Sequence, residues 1–360
     1  MTPVTILRTV SAPGKVFWLG EYVVLDGAPA IASAVDRYAW LKFEPGGDSL
    51  RVTSTVWEGE MVLQDADGGV LHQAPTPAQR LVYAVAQRVL DLLGDIRWEA
   101  GILHIDTDAL SARNKLGLGS SAAVAAGLTV ALMGSRVDDR LRLLDIAQSA
   151  HHDFQGRVGS GADVAASMLG GVVLVQQGRA ARRFDYMSAP GFMVFASSMP
   201  ANTPDMIKAV RAWRNARPVQ SRAALAIMAD AANRGSFALR LDDEAGWIDS
   251  VERFGKAEIE LSRLSNVPVV TPEMRQFMEA AASMGCPAKP SGAGGGDVLI
   301  AWPGRHTDLA LIREIAEACG LLELTIRATD EGAIHSLAQP EETQPISLTR
   351  EHAASTPESP

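Results

Sequence analysis

Apolar and polar positions alternate in short runs through the first third of the chain, and the period lengthens to that of a helix further on. Residues 5–10 and 15–19 are rich in β-branched and aromatic side chains, while 38–43 (YAWLKF), 50–56 and 101–106 (GILHID) alternate, so each predicts a strand. Asp67-Gly68, followed by Gly69, predicts a turn that closes a hairpin. A helix is predicted over 77–93, with Gly94 placed to end it. The Ala-rich stretch after Ser120 and the Leu and Ile spacing over 138–155 predict two more helices. GVVLVQ at 171–176 and GFMVFAS at 191–197 return to strand.

The second half is more helical. Thr203-Pro204-Asp205 reads as a helix start, with a hydroxyl N-cap, a proline in the first turn and an acid beside the positive end of the dipole. Thr271-Pro272-Glu273 repeats that grammar, Gly285 closes the helix it opens, and 219–264 reads as two helices. A strand at 297–302, a helix at 306–319 and a last strand at 321–327 follow. The mixture lacks regular βαβ alternation, so the expected class is α+β with antiparallel sheet pieces. The division expected is an N-terminal nucleotide-binding domain over 1–185, a C-terminal domain over 186–335, and a disordered tail over 336–360, where Pro, Glu, Ser and Thr carry no apolar period.

At 360 residues, 47% hydrophobic and 21% charged, the chain has the make-up of a soluble globular protein with a sizeable core. The small-apolar stretch from Ala122 to Met133 is interrupted by Gly127 and Thr129 and falls short of the ~20 residues a span requires. No basic start followed by an apolar run opens the chain, so a cytoplasmic protein without a membrane partner is expected. With 42 acidic against 33 basic side chains the net charge is -9, which supplies no cationic field for nucleic acid. An anionic small substrate would need a local cationic pocket. Two cysteines, Cys286 and Cys319, exclude a disulfide scaffold and a Cys-based zinc site, and read as buried thiols in a reducing compartment.

Candidate chemistry lies in four glycine-bearing segments. In Lys115-Leu-Gly-Leu-Gly-Ser-Ser-Ala-Ala123, glycines allow close backbone approach and Ser120 and Ser121 open a helix. Backbone N–H groups at such a start bind phosphate, a serine hydroxyl there reaches a phosphate-bridging metal, and Lys115 adds charge; a plain glycine turn with a serine cap is the competing reading. The Gly-Lys-Ser/Thr ending of a Walker loop is absent. Gly117, Gly119 and Ala122 fit a loose G-x-G-x-x-[GA] pattern, with Asp138 and Asp139 about where a ribose-binding acid stands, but Thr107 to Asn114 separates the pattern from its strand. The second segment, Gly159 to Ala166, puts Asp163 in a first helical turn, where the dipole keeps it ionised to act as a base or fix a cation. The third, Lys289-Pro-Ser-Gly-Ala-Gly-Gly-Gly-Asp297, spends glycines that only tight geometry or ligand approach requires. The fourth, Ser11-Ala-Pro-Gly-Lys15, places a lysine at the start of a strand.

In this combination and order the four segments resemble those of the GHMP kinase superfamily, over roughly residues 8–333. AHHDFQGRVGSGADVAAS and KPSGAGGGD are most similar to the phosphomevalonate kinases, and Gly20-Glu21-Tyr22-Val23 replaces the galactokinase signature. The resemblance implies a two-domain α+β kinase, ribosomal-S5-like in its N-terminal half and ferredoxin-like in its C-terminal half. It implies ATP and Mg²⁺ as cofactors, with phosphates over Lys115, Gly117, Leu118, Gly119, Ser120, Ser121 and Ala122, and Ser121 on the metal. Lys15 and Asp163 would be catalytic. With Glu21, Tyr22, Ser160, Gly161, Ser291, Gly292, Ala293 and Gly294 they would contact the acceptor. Mevalonate kinases carry a glutamate metal ligand where His152 stands here, beside Asp153. A phosphorylated small-molecule acceptor needs cations, for which Lys208, Arg211, Arg214, Arg113, Arg157 and Lys289 are candidates. The expected reaction is ATP-dependent phosphorylation of (R)-5-phosphomevalonate to the 5-diphosphate. Mevalonate kinase, another small-molecule kinase of this fold and diphosphomevalonate decarboxylase are the alternatives, and the protein is expected as a monomer or homodimer.

Overall fold

The computed structural model describes residues 3–69, 76–111, 116–136, 138–156, 159–185, 191–199 and 201–335. Arg113, Lys115, Arg157 and the expected tail over 336–360 lie outside them. Of the strands expected over 5–10 and 15–19, the first is strand only from Thr9, and one continuous strand, β1 (Thr9–Leu19), runs through the second. Its pairing with β2 (Ala30–Pro45) slips between Pro13, opposite Tyr38, and Gly14, opposite Val35. The irregularity absorbs a proline that has no N–H to give the ladder. The first half of β2 is small and buried on both faces, so it shows no alternation to read.

The first sheet runs β12 (Ile334–His335), β1, β2, β5 (Gly101–Asp106), β3 (Leu50–Ser54), β4 (Trp57–Gln64), with β6 (Val172–Val175) and β7 (Arg182–Phe184) continuing from β2. Strands β3 and β5 are parallel, and the helix α1 (Gln79–Leu93) lies in the crossover between them. The hairpin falls between β3 and β4, with Ser54 opposite Trp57. The Asp67-Gly68 turn lies after β4, held by Asp65, whose Oδ1 accepts the N–H groups of Asp67 and Gly69. Helices α2 (Ser120–Met133), α3 (Arg140–Phe154) and α4 (Ala162–Leu169) pack together with this sheet. Helix α2 is buried from Ala122 to Met133, and its small residues let it lie directly on the strands: a Cβ at Gly127 would stand 2.6 Å from Leu41 Cδ1.

The second sheet has the order β11 (Leu322–Leu324), β8 (Met193–Ala196), β10 (Val298–Ala301), β9 (Ala288–Pro290), antiparallel throughout, the strand order of a ferredoxin-like unit. Helices α5 (Thr203–Ala216), α6 (Pro218–Arg240), α7 (Glu244–Ser265), α8 (Pro272–Ala282) and α9 (Leu309–Ala318) complete this half. Thr271 caps α8 as its sequence predicts, whereas α5 is capped one residue earlier, by Asn202, which accepts from Asp205 N–H. Trp18 on β1 meets Trp247 of α7 and Trp302 beyond β10, with ring centroids 5.3 and 5.9 Å away, so an aromatic cluster joins the halves. After β11 the chain returns to the first sheet, where β12 pairs with β1. Among the described residues no helix is long and apolar enough to cross a membrane.

Candidate active site

Lys15 is the centre around which the glycine segments gather. Its backbone N–H donates to Leu118 O at 2.8 Å and its Nζ to Gly117 O at 2.9 Å, which lays the 116–119 loop on β1. Glycine is required on both sides of the contact. A Cβ at Gly14 would stand 2.8 Å from Leu118 O, and one at Gly119 would stand 2.8 Å from Lys15 Cε. Gly119 is left-handed (φ 81°), and it starts α2 with no side-chain cap and no acid in the first turn. The first intrahelical bond is Ala123 N–H to Gly119 O, so the N–H groups of Ser120, Ser121 and Ala122 precede the helical ladder. That donor row, at the positive end of a 14-residue helix, fits phosphate oxygens. Lys15 is 8% exposed. Burial pushes its pKa below the ordinary lysine value, against the opposing pull of Asp163, Asp297 and Glu21, while Lys289 pushes it further down.

The second segment reaches the same place through a histidine. Helix α4 starts at Gly161, also left-handed (φ 73°) and without a side-chain cap, and Asp163 lies in its first turn, its Oδ1 accepting Val164 N–H. Asp163 is the largest charge favouring the Lys15 ammonium. His151, on the last turn of α3, places Nε2 3.0 Å from Ser121 Oγ and Nδ1 4.0 Å from Asp163 Oδ2. Burial lowers its pKa, the Asp163 carboxylate opposes this, and His152 and Lys15 add to the lowering. His152 instead meets Gly159 O through Nε2 at 2.6 Å, and Asp153 pairs with Arg88 of α1. Neither takes the place of a carboxylate beside Ser121. Ser160 is partly buried and accepts Ala162 N–H.

The late glycine segment is tied to the end of β1 and to the residues that follow it. Ser291 Oγ accepts Phe17 N–H at 2.8 Å, Glu21 Oε1 accepts Gly292 N–H at 3.1 Å, and Tyr22 donates its hydroxyl to Ala293 O at 2.5 Å. A Cβ at Gly294 would stand 2.0 Å from Val269 O, whereas one at Gly292 meets nothing within 4 Å, so the segment is packed at one position and open at the other. Lys289 does not face an acceptor. It is fully buried, its Nζ 2.5 Å from Glu21 Oε1 and 3.9 Å from Glu258 Oε1. Asp297 ends the segment in a left-handed conformation (φ 57°), and a Cβ at Gly117 would stand 2.8 Å from its Oδ2. It therefore sets a carboxylate directly against the 116–119 loop.

Among the other expected cations, Arg214 pairs with Asp26 at 2.8 Å, while Lys208 and Arg211 are exposed on α5. A cavity of about 710 Å³ lies beside them, lined by Asp26, Arg214, Arg222 and Asn233 among others, but not by Lys15, the 116–122 segment or Asp163. Sequence reasoning gave no role to three groups at or near the site: His151, which reads as a surface or packed helix histidine, Asp297 and Glu258. Only Asp297 had a local signal, as an acid closing a glycine run before a strand.

Two family models match the chain, GHMP kinases N terminal domain over residues 80–171 and GHMP kinases C terminal over 248–320. The chain carries the N- and C-terminal domains of the GHMP kinases. It is 29% identical to a phosphomevalonate kinase of Streptomyces sp. (strain CL190), covering 91% of this chain and 98% of that one. It is 25% identical to a mevalonate kinase of Pyrococcus abyssi, covering 91% and 97%. In fold it is similar to Streptococcus pneumoniae phosphomevalonate kinase, solved in complex with phosphomevalonate and AMPPNP, with a TM-score of 0.74, 22% identity, and coverage of 89% and 100%. The α+β two-domain architecture of the GHMP kinases is thus the architecture of this chain.

Proposed function

We propose that this GHMP kinase transfers the γ-phosphoryl group of ATP to (R)-5-phosphomevalonate, giving the 5-diphosphate. The observation that carries the reading is Lys15, a buried ammonium held 2.9 Å from the Gly117 carbonyl of the phosphate-loop candidate, with Asp163 as its strongest favourable charge. Phosphoryl transfer calls for positioning and charge neutralisation more than covalent help. The N–H row of Ser120, Ser121 and Ala122 holds phosphate oxygens, and Gly117, Leu118 and Gly119 shape the approach. Lys115 adds charge from outside the described residues. No cluster of three or more His, Cys, Asp or Glu that could hold a metal occurs among the described residues. Ser121 Oγ would hold a Mg²⁺ on the phosphates, and bound there the ion would neutralise phosphate charge.

Lys15 offsets the charge that gathers on the transferring group. A phosphomonoester has a second pKa of about 6 and needs no general base near neutral pH, so Asp163 orients Lys15 and the acceptor. Ser160, Gly161 and the 291–294 segment, anchored by Glu21 and Tyr22, enclose the acceptor, and Lys208 and Arg211 supply cations for its phosphate. Residues 1–185 carry the nucleotide, and the second sheet with its helices closes over it. The higher identity to a phosphomevalonate kinase than to a mevalonate kinase supports the acceptor. Mevalonate is the second reading, favoured by the engagement of Lys289 with Glu21 rather than with the cleft.

Initial rates of ADP release from Mg-ATP with phosphomevalonate, mevalonate and diphosphomevalonate test the assignment. ADP should form with the first, and Lys15→Met should lower kcat by about 10²–10³-fold, as loss of a transition-state donor does. Preferred turnover of mevalonate, or CO₂ release from diphosphomevalonate, would overturn it.

A further inference from the structure

One imidazole touches both helices that begin at left-handed glycines. Ser121 opens α2, Asp163 opens α4, and His151 stands between them, 1% exposed, with Nε2 3.0 Å from Ser121 Oγ and Nδ1 4.0 Å from Asp163 Oδ2. Its ring lies 6.2 Å from that of Phe154, so apolar packing fixes its plane. The two ring nitrogens therefore face chemically unlike partners. An ionised carboxylate only accepts, so the nitrogen facing Asp163 is the one that gains from carrying hydrogen. In the neutral ring the other nitrogen is then bare and accepts the serine hydroxyl hydrogen. The opposite tautomer would turn a lone pair towards the carboxylate and an N–H towards Ser121, freeing the hydroxyl hydrogen to point into the cleft. At 4.0 Å the Asp163 contact is too long for a hydrogen bond, so it acts on the ring through charge.

We propose that His151 is a positioning residue that carries its proton on Nδ1, towards Asp163, and accepts the Ser121 hydroxyl at Nε2, so that both lone pairs of Ser121 Oγ turn outward. The serine then presents an oxygen that only accepts, which is what a hard cation on the phosphates requires. A partner behind a metal ligand fixes its orientation in this way. His152 is excluded from the role because its Nε2 is taken up by Gly159 O at 2.6 Å. What the lone pairs meet rests on the kinase reading above; the wiring of the imidazole does not.

The direct test is ¹⁵N spectroscopy of the full, ligand-free chain labelled at its 7 histidines, with His151 assigned by its loss in a variant. The His151 signal should show a proton on Nδ1 and a bare Nε2. Ser121→Ala should shift Nε2 and leave Nδ1 protonated. A proton on Nε2, or an Nε2 signal indifferent to Ser121→Ala, overturns the proposal. Activity gives a second readout. In His151→Gln the amide oxygen can reach the place of Nε2, whereas in His151→Asn the amide reaches only that of Nδ1. The Asn variant should lose about 10–100-fold in kcat and raise the half-saturating Mg²⁺ by a similar factor, with acceptor KM within about twofold. The Gln variant should recover most of that loss, and equal losses in the two would break the link to Ser121. A chain that shows the expected ring signals but transfers no phosphoryl group would refute the kinase reading and leave the wiring standing. An active kinase with Nε2–H would refute the wiring alone.

Discussion

Gly119 and Gly292 are both left-handed, at φ 81° and 87°, yet they face different surroundings. A Cβ at Gly119 runs into Lys15 at 2.8 Å, and one at Gly292 meets open space. Each substitution to Ala carries the left-handed backbone penalty of about 1–2 kcal/mol. Only Gly119→Ala also displaces the central lysine. Its kcat should fall by at least about tenfold, while Gly292→Ala, in the segment that encloses the acceptor, should show a similar drop in thermal midpoint and act mainly on the acceptor KM. Paired melting curves and initial rates make the comparison. Lys15, Ser121 and Asp163 were legible in the sequence because glycines with a conformational reason to be there flank them. His151 was not, because its partners come from two other helices and no spacing within α3 marks the inward face as different from packed core.

Most helices here are capped by a side chain: Asp139 for α3, Asn202 for α5, Asp243 for α7, Thr271 for α8 and Asp308 for α9. Helices α2 and α4 instead begin at bare left-handed glycines, and they are the two that converge on Lys15. An uncapped start lowers helix stability and leaves donors for a ligand. Ser120→Asp should reverse that balance. The new carboxylate at the positive helix end should stabilise the fold by about 0.3–1 kcal/mol. It should also repel phosphate by about 1–4 kcal/mol, raising the ATP KM about fivefold or more. A raised KM with a lowered thermal midpoint would mean that the carboxylate disturbs the turn instead of the phosphate. Helix positions were legible from their apolar period. Several strand segments were not, among them the start of β2, which is small and buried on both faces, and β4, which carries its charges on an exposed edge.

Across the molecule, the two halves meet over a buried charge cluster. Lys289 of β9 is shared by Glu21, which follows β1, and Glu258 of α7. Neither carboxylate oxygen of Glu258 has a hydrogen-bond partner among the described residues. Burial raises its pKa well above the ordinary value, Lys289 opposes this and Glu21 adds to it. A carboxyl whose folded pKa is raised contributes stability in its protonated form. That contribution is fully present below the unfolded value of about 4.3 and is lost as pH rises through the folded value. Relative to Glu258→Gln, the wild-type thermal midpoint should therefore decline as pH rises from that value, and parallel pH profiles would show that Glu258 does not hold its proton. Removing Lys289, as in Lys289→Met, should cost about 3–5 kcal/mol by leaving Glu21 buried without its partner. This junction was invisible in the sequence, since residues 21, 258 and 289 belong to separate elements and only the fold brings them together. The mixture of helix and strand without regular βαβ alternation, by contrast, was enough to give the α+β class.

The central claim is that the segments around Lys15 enclose a single nucleotide. The most direct test is a crystal structure with a non-hydrolysable ATP analogue, Mg²⁺ and phosphomevalonate. It should show phosphate oxygens on the N–H groups of Ser120, Ser121 and Ala122, with the acceptor oxygen within about 3 Å of Lys15 Nζ. Nucleotide bound instead in the cavity beside Arg214 and Arg222, with the 116–122 segment empty, would contradict it.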